Sequence, residues 1–110
     1  MMNDAITSVD VTDIPAGALL VDVRESDEWD AGHAPNAQHL PASELLARYG
    51  ELPEDGPVYL VCRSGGRSSK AAIWLNQNGY EAINVRGGMG AWAEAGLPLT
   101  SQGAEEPFIL

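Results

Sequence analysis

The chain has 110 residues, enough for one domain with a real core and too few for a separate substrate domain. With 45% hydrophobic and 20% charged residues it is not a disordered chain, and no apolar run approaches the length of a membrane span. A net charge of -10 opposes binding to nucleic acid or anionic membranes, and one cysteine excludes an internal disulfide or a Cys-x-x-Cys metal framework.

The stretch Met1-Met2-Asn3-Asp4-Ala5-Ile6 has neither a basic nor an apolar region of the kind a signal peptide needs. Together with the single thiol, this leads to the expectation of a cytoplasmic protein. A weak strand is expected near residues 6–9. Ala18-Leu19-Leu20-Val21-Asp22-Val23 is a short apolar run of the sort buried in a sheet covered on both faces. A further weak strand is expected at residues 37–40. Residues 42–49 follow Pro41 and read as a helix ending at Gly50, its expected C′ residue.

Pro57-Val58-Tyr59-Leu60-Val61-Cys62 is the most apolar strand candidate. Residues 68–78 read as a helix with Ala71, Ala72 and Leu75 on one face, stopping at Gly79. Residues 81–85 read as a strand, and residues 89–95 as a shorter helix before Gly96 and Pro98. Residues 101–110 read as a flexible C-terminal tail after a domain spanning 1–100, although Phe108-Ile109-Leu110 is apolar enough to tuck into a groove.

Strands alternating with helices over short connections predict an α/β domain, with a mainly parallel central sheet and helices on both faces. Ligands in such sheets bind beyond the carboxyl ends of the strands, where Cys62 stands. The charge distribution supports a site there. Eight of the sixteen acidic residues fall in the first thirty positions, whereas Pro57 through Tyr80 contain none. The same window holds Arg63, Arg67 and Lys70, half of the six cations. A positive patch on an acidic protein suits a small anionic ligand; charge alone leaves open a chance cluster on a solvated helix face.

Cys62-Arg63-Ser64-Gly65-Gly66-Arg67-Ser68 carries the chemistry. Gly65 and Gly66 let successive N–H groups converge on one point, and a helix N-terminus expected at Ser68 adds donors and partial positive charge. Arg63 and Arg67 bring guanidinium groups suited to an oxyanion. A thiol in this field ionises more readily than a free cysteine. A lone cysteine is otherwise a small buried hydrophobe; its place before this loop argues for a nucleophile.

At this point the sequence resembles the rhodanese family, specifically its single-domain members. Asp22-Val23-Arg24-Glu25 with Trp29 and Gly32-His33-Ala34-Pro35-Asn36-Ala37 is similar to the family's N-terminal motif. Residues 62–68 resemble its active-site loop. Arg86-Gly87-Gly88-Met89-Gly90-Ala91-Trp92 with Gly96-Leu97-Pro98 resembles its C-terminal motif. Asn36 stands where many relatives carry glycine, a turn position asparagine tolerates.

The resemblance implies a sulfurtransferase with Cys62 as catalytic residue and Arg63, Ser64, Gly65, Gly66, Arg67 and Ser68 binding the substrate. Cys62 would take the outer sulfur of a donor such as thiosulfate as a persulfide and yield it to cyanide, a small thiol or a protein thiol. No cofactor or metal is expected. Without a second cysteine, the acceptor is expected to come from outside the chain. Protein tyrosine phosphatases and phosphatases with a rhodanese-like fold place five residues between cysteine and arginine, against four here, which disfavours a phosphatase or arsenate reductase. Loop arginines resemble those of thiosulfate users rather than the Gly-Val-Thr-like loops of mercaptopyruvate users. A module relaying sulfur between proteins, docked through the acidic N-terminal half, is the other reading.

Asp22 and Arg24 resemble the family's structural pair and read as scaffold. His33 and His39 lack companion ligands and read as structural. Trp29, Trp74 and Trp92 read as packing residues. Arg86 falls on the Cys62 side of a parallel sheet, either binding anions or staying solvated.

Overall fold

The structure is a computed structural model and describes residues 6–110. The first five positions, read above as the start of the domain and part of a stretch without signal features, lie outside the described residues. Five strands form one all-parallel sheet: β1 (Ser8–Asp10), β2 (Leu19–Asp22), β3 (Gln38–His39), β4 (Pro57–Val61) and β5 (Glu81–Arg86), in the order β1-β5-β4-β2-β3. The edge strands β1 and β3 span three and two residues, leaving little open backbone for unwanted pairing. Pro57, with no N–H to give, opens β4.

The helices are α1 (Ser26–Ala31), α2 (Leu45–Arg48), α3 (Gly66–Gln77) and α4 (Gly88–Glu94). Successive strand side chains point to opposite faces, and the two cores follow that alternation. Val58, Leu60 and Cys62 pack with Ala71, Ala72 and Leu75 of α3 and Leu45 of α2. Tyr59 and Val61 pack on the opposite face with Met89 and Trp92 of α4. Burying each of the larger apolar side chains is worth roughly 1.5–3 kcal/mol, so both helical layers are anchored by one strand. The parity of β4 thereby assigns the thiol to the α3 side.

From β2 the chain runs outward to β3, whereas from β4 it runs to β5 in the other direction. The strand order therefore reverses between β2 and β4, the switch point where crevices open at the carboxyl ends of strands. The Val23 N–H donates to Val61 O at 2.9 Å, which closes the floor of that crevice under Arg24 and Cys62.

Two helix starts and two whole helices, one expected and one not, differ from the sequence expectations. Helix α3 begins at Gly66, two residues before Ser68, because Gly65 adopts φ +116° and serves as its cap. Helix α4 begins at Gly88, behind Gly87 at φ +81°. The segment expected as a helix over 42–49 is a tight turn over Ala42–Glu44, a single α-turn in α2, and another tight turn over Tyr49–Glu51. Gly50 lies inside that last turn rather than at a C′ position. The chain continues to Leu52, which is 3% exposed and whose N–H donates to Tyr49 O at 3.0 Å.

Helix α1 was not expected. Its cap is Glu25, whose N–H donates to the Glu28 carboxylate at 3.1 Å. After α4 the chain folds back. Thr100 bridges His33, Gln102 N–H donates to Asp30 O at 3.1 Å, and Phe108 N–H to Ala31 O at 3.0 Å. Ile109 packs against the α4-side core, while Phe108 and Leu110 remain exposed.

Candidate active site

Cys62 follows the last residue of β4 and is 1% exposed. Residues 63–65 carry the chain round its sulfur into α3. Sγ accepts from the Gly65 N–H at 3.1 Å, the Ser68 N–H at 3.4 Å and the Ser68 hydroxyl at 3.3 Å. Gly65 makes this curl at a left-handed φ that side-chain-bearing residues resist.

The outer side of the loop is tied as firmly. The Met89 N–H donates to Cys62 O at 2.8 Å and the Gly90 N–H to Arg63 O at 3.0 Å. These first-turn donors of α4 have no partners within their own helix. Gly88 allows the approach: a Cβ there would run into Cys62 O and lie 2.6 Å from the Arg63 carbonyl. The loop thus turns its oxygens outward and its N–H groups toward sulfur.

Burial works against ionisation of Cys62, but the Ser68 hydroxyl and N–H and the Gly65 and Ser64 N–H groups outweigh it, so the thiol lies below its ordinary value. A positive end of the twelve-residue α3 reinforces the same direction. The arrangement stabilises an anionic sulfur held at a fixed point.

The expected binding residues divide into two groups. Gly65 and Ser68 meet at Sγ, joined by the Ser64 N–H; the Gly66 and Ser64 side-chain positions face solvent. The two guanidinium groups do not converge on the sulfur. Arg67 makes two parallel bonds to Glu28 of α1, and Arg63 Nε donates to Leu110 O at 3.2 Å. That ion pair holds the Glu28 carboxyl at about 2 and raises Arg67. Lys70 is exposed and, among the described residues, makes no ion pair. Arg86 ends β5 on the Cys62 side of the sheet, yet its Nε pairs with Asp10 at 2.8 Å.

Asp22 and Arg24 are both fully buried and paired at 2.8 Å, and Arg24 Nη2 also donates to Gly32 O at 2.7 Å. Arg24 Nη1 is buried without a partner among the described residues. The pair braces the turn after β2 against the end of α1. Both histidine rings stack on Trp29, with centroids 3.5 Å away for His33 and 4.7 Å for His39. Their nitrogens bond to backbone oxygens, His33 Nδ1 to Trp29 O at 2.6 Å and His39 Nε2 to Arg24 O at 2.7 Å. Trp92 donates from Nε1 to Pro98 O at 2.8 Å, and Trp74 stands edge-on to Tyr49. Among the described residues no group of three His, Cys, Asp or Glu side chains is placed to hold a metal, and no helix is long and apolar enough to cross a membrane.

Two residues of the site were absent from the sequence expectations. Asn84 of β5 is 7% exposed, with its side-chain amide 2.6 Å from Ser68 Oγ. Its signal was a polar residue inside the apolar run Ala82-Ile83-Asn84-Val85. Glu28 carried no such signal, because its partner is 39 positions away.

The family model for the rhodanese-like domain matches residues 8–95. A protein named sulfurtransferase from Allochromatium vinosum is 44% identical over 84 residues, which cover 76% of this chain and 78% of that protein. The crystal structure of a rhodanese-related protein from Thermoplasma volcanium superposes with a TM-score of 0.81 at 31% identity, covering 86% of this chain and 97% of that one. A rhodanese-like domain protein from Staphylococcus aureus gives 0.74 at 32% identity, covering 87% and 100%. A five-stranded parallel sheet, a cysteine at the switch point and a match over residues 8–95 agree, and the chain belongs to the rhodanese-like domain family.

Proposed function

We propose that the chain is a cytoplasmic sulfurtransferase that moves sulfane sulfur from an anionic donor of the thiosulfate type to cyanide, a small thiol or a protein thiol. Family membership and the sulfurtransferase-named relative support sulfur transfer as the general chemistry. The observation that carries the finer reading is the set of donors at 3.1–3.4 Å around Cys62 Sγ. Such a cradle favours a sulfur anion, first as the attacking thiolate and then as a persulfide.

In the first displacement the Cys62 thiolate attacks the outer sulfur of thiosulfate. The new S–S bond forms as the bond to the sulfonate sulfur breaks, and sulfite leaves with the bonding pair. In the second, the acceptor attacks the outer sulfur of the persulfide, and Cys62 departs as the thiolate. Cyanide would leave as thiocyanate; a thiolate acceptor would leave as its own persulfide. The sequence contains one cysteine, so the acceptor is a separate molecule in this scheme. Surface depressions of about 550 Å³, beside Arg63, Ser64 and Gly90, and about 240 Å³, beside Arg67, Lys70 and Trp74, flank the loop and suit approach from either side.

The test is mass spectrometry of unreduced protein after exposure to thiosulfate, followed by cyanide. The expected record is the mass of one added sulfur on Cys62, removed by cyanide with release of thiocyanate. Cys62→Ser should fold and carry no sulfur, since a hydroxyl is almost wholly un-ionised at neutral pH. Cyanide-dependent turnover above background by a folded serine variant would overturn the reading.

A further inference from the structure

The Ser68 hydroxyl has one proton and two acceptors within reach, Cys62 Sγ at 3.3 Å and the Asn84 amide, whose Oδ1 faces it at 2.6 Å. One proton cannot serve both well. If it goes to Asn84, the hydroxyl shows lone pairs to sulfur, an arrangement compatible only with a protonated thiol that donates back to Oγ. If it goes to sulfur, the partner at 2.6 Å must be a donor. A half-turn of the Asn84 amide exchanges Oδ1 for Nδ2 in nearly the same volume and provides that donor.

We propose that Asn84 is a positioning residue for Cys62. By presenting Nδ2 to Ser68 Oγ it keeps the hydroxyl donating to the sulfur anion, and by presenting Oδ1 it accepts that hydrogen bond when the sulfur is neutral. Ser68 is fully buried and Asn84 is 7% exposed, so bulk water does not substitute for either partner. In such surroundings each bond of a chain polarises the next, and an unmatched polar atom is costly. The inference rests on Cys62 as the nucleophile of sulfur transfer.

The groups that face the sulfur from each neighbouring element are few. The loop and α3 bring the N–H groups of Ser64, Gly65 and Ser68 together with Arg67, whose charge is compensated by Glu28 of α1. Arg63 turns to Leu110 O, the Asp22–Arg24 pair at the end of β2 is closed on itself and on Gly32 O, α4 bonds to backbone oxygens of the loop, and Arg86 of β5 pairs with Asp10. Asn84 is the side chain from β5 that reaches Ser68.

The test is the pH dependence of Cys62 alkylation by iodoacetamide. This readout needs no sulfur donor, so it stands or falls separately from the sulfurtransferase reading. Asn84→Asp keeps the shape but, once ionised, only accepts, and so draws the Ser68 proton away from sulfur. It should raise the midpoint by about one unit. In a Ser68→Ala background the same change should raise it by less than half as much, because the route through the hydroxyl is gone. A shift of half or more in that background, or no shift with Ser68 present, would overturn the proposal. If circular dichroism shows that the aspartate variant does not fold, Asn84→Ala is read in the same cycle. A rise that vanishes in the Ser68→Ala background supports the relay; an equal rise in both, or none, refutes it.

Discussion

Arg67 and Glu28 join the active-site loop to α1 through two parallel bonds, Nη1 to Oε1 at 2.7 Å and Nη2 to Oε2 at 2.8 Å. The contact brings together the cation expected to greet an anionic donor and a carboxylate that occupies the same N–H groups. A donor that uses Arg67 must compete with Glu28. Glu28→Gln should therefore lower the KM for thiosulfate by about threefold to tenfold, the size of one partly screened charge contact. Arg67→Ala should lower kcat/KM more than Lys70→Ala, whose ammonium is solvated. Steady-state kinetics with cyanide as acceptor tests both, and an unchanged or raised KM in the glutamine variant would refute the competition.

The same pair makes stability depend on acid. Glu28 titrates at about 2 in the folded chain against an ordinary 4.5. A depressed carboxyl contributes fully above its unfolded value and loses that contribution as pH falls through the folded one. The stabilisation is therefore whole above about pH 4.5 and fades toward pH 2. With Arg67 40% exposed, solvent limits it to about 1 kcal/mol or less. Urea titrations across this window should show a shallower acid slope for Glu28→Gln than for wild type.

Alanine should be costly at Gly88 and nearly neutral at Gly66. At Gly88 the φ of +59° and the contact with the Cys62 and Arg63 carbonyls leave no room, so Gly88→Ala should cost about 3 kcal/mol and cut turnover sharply. A Cβ on Gly66 meets nothing within 4 Å, and Gly66→Ala should stay within about 0.5 kcal/mol of wild type. Thermal melts together with turnover rates check the contrast.

Loop length gives a further expectation. The Gly65 and Ser68 N–H groups both reach Sγ because the loop closes in so few residues. One glycine inserted between Ser64 and Gly65 should displace these donors by about an ångström and reduce sulfur transfer about 100-fold. Wild type should not hydrolyse an aryl phosphate. Undiminished transfer by the insertion variant would refute the length argument alone.

What could be read in advance depended on whether cause and effect were neighbours in sequence. The runs that became β2, β4 and β5 are contiguous and apolar, and the Cys62 loop carries its glycines in a row. Helix α1 was obscured by its composition, since Trp29 is the large apolar residue among Ser26, Asp27, Glu28 and Asp30 and its cap is a glutamate. The direction of Arg67 was hidden because it is set by Glu28, which lies 39 positions away and meets it only through the fold. Asn84 had a local signal, but its meaning required knowing that β4 and β5 are neighbours.

The two bonds from the first turn of α4 to the oxygens of Cys62 and Arg63 act as a keel. A peptide unit whose oxygen is moored outward cannot swing that oxygen round to confront the sulfur. As cargo is loaded and unloaded, the loop is therefore held to one electrical face, with its backbone dipoles aimed at the sulfur before any charge arrives. Little reorientation is then needed when the charge changes. The last helix of the domain, which contributes no nucleophile, keeps the landing place ready.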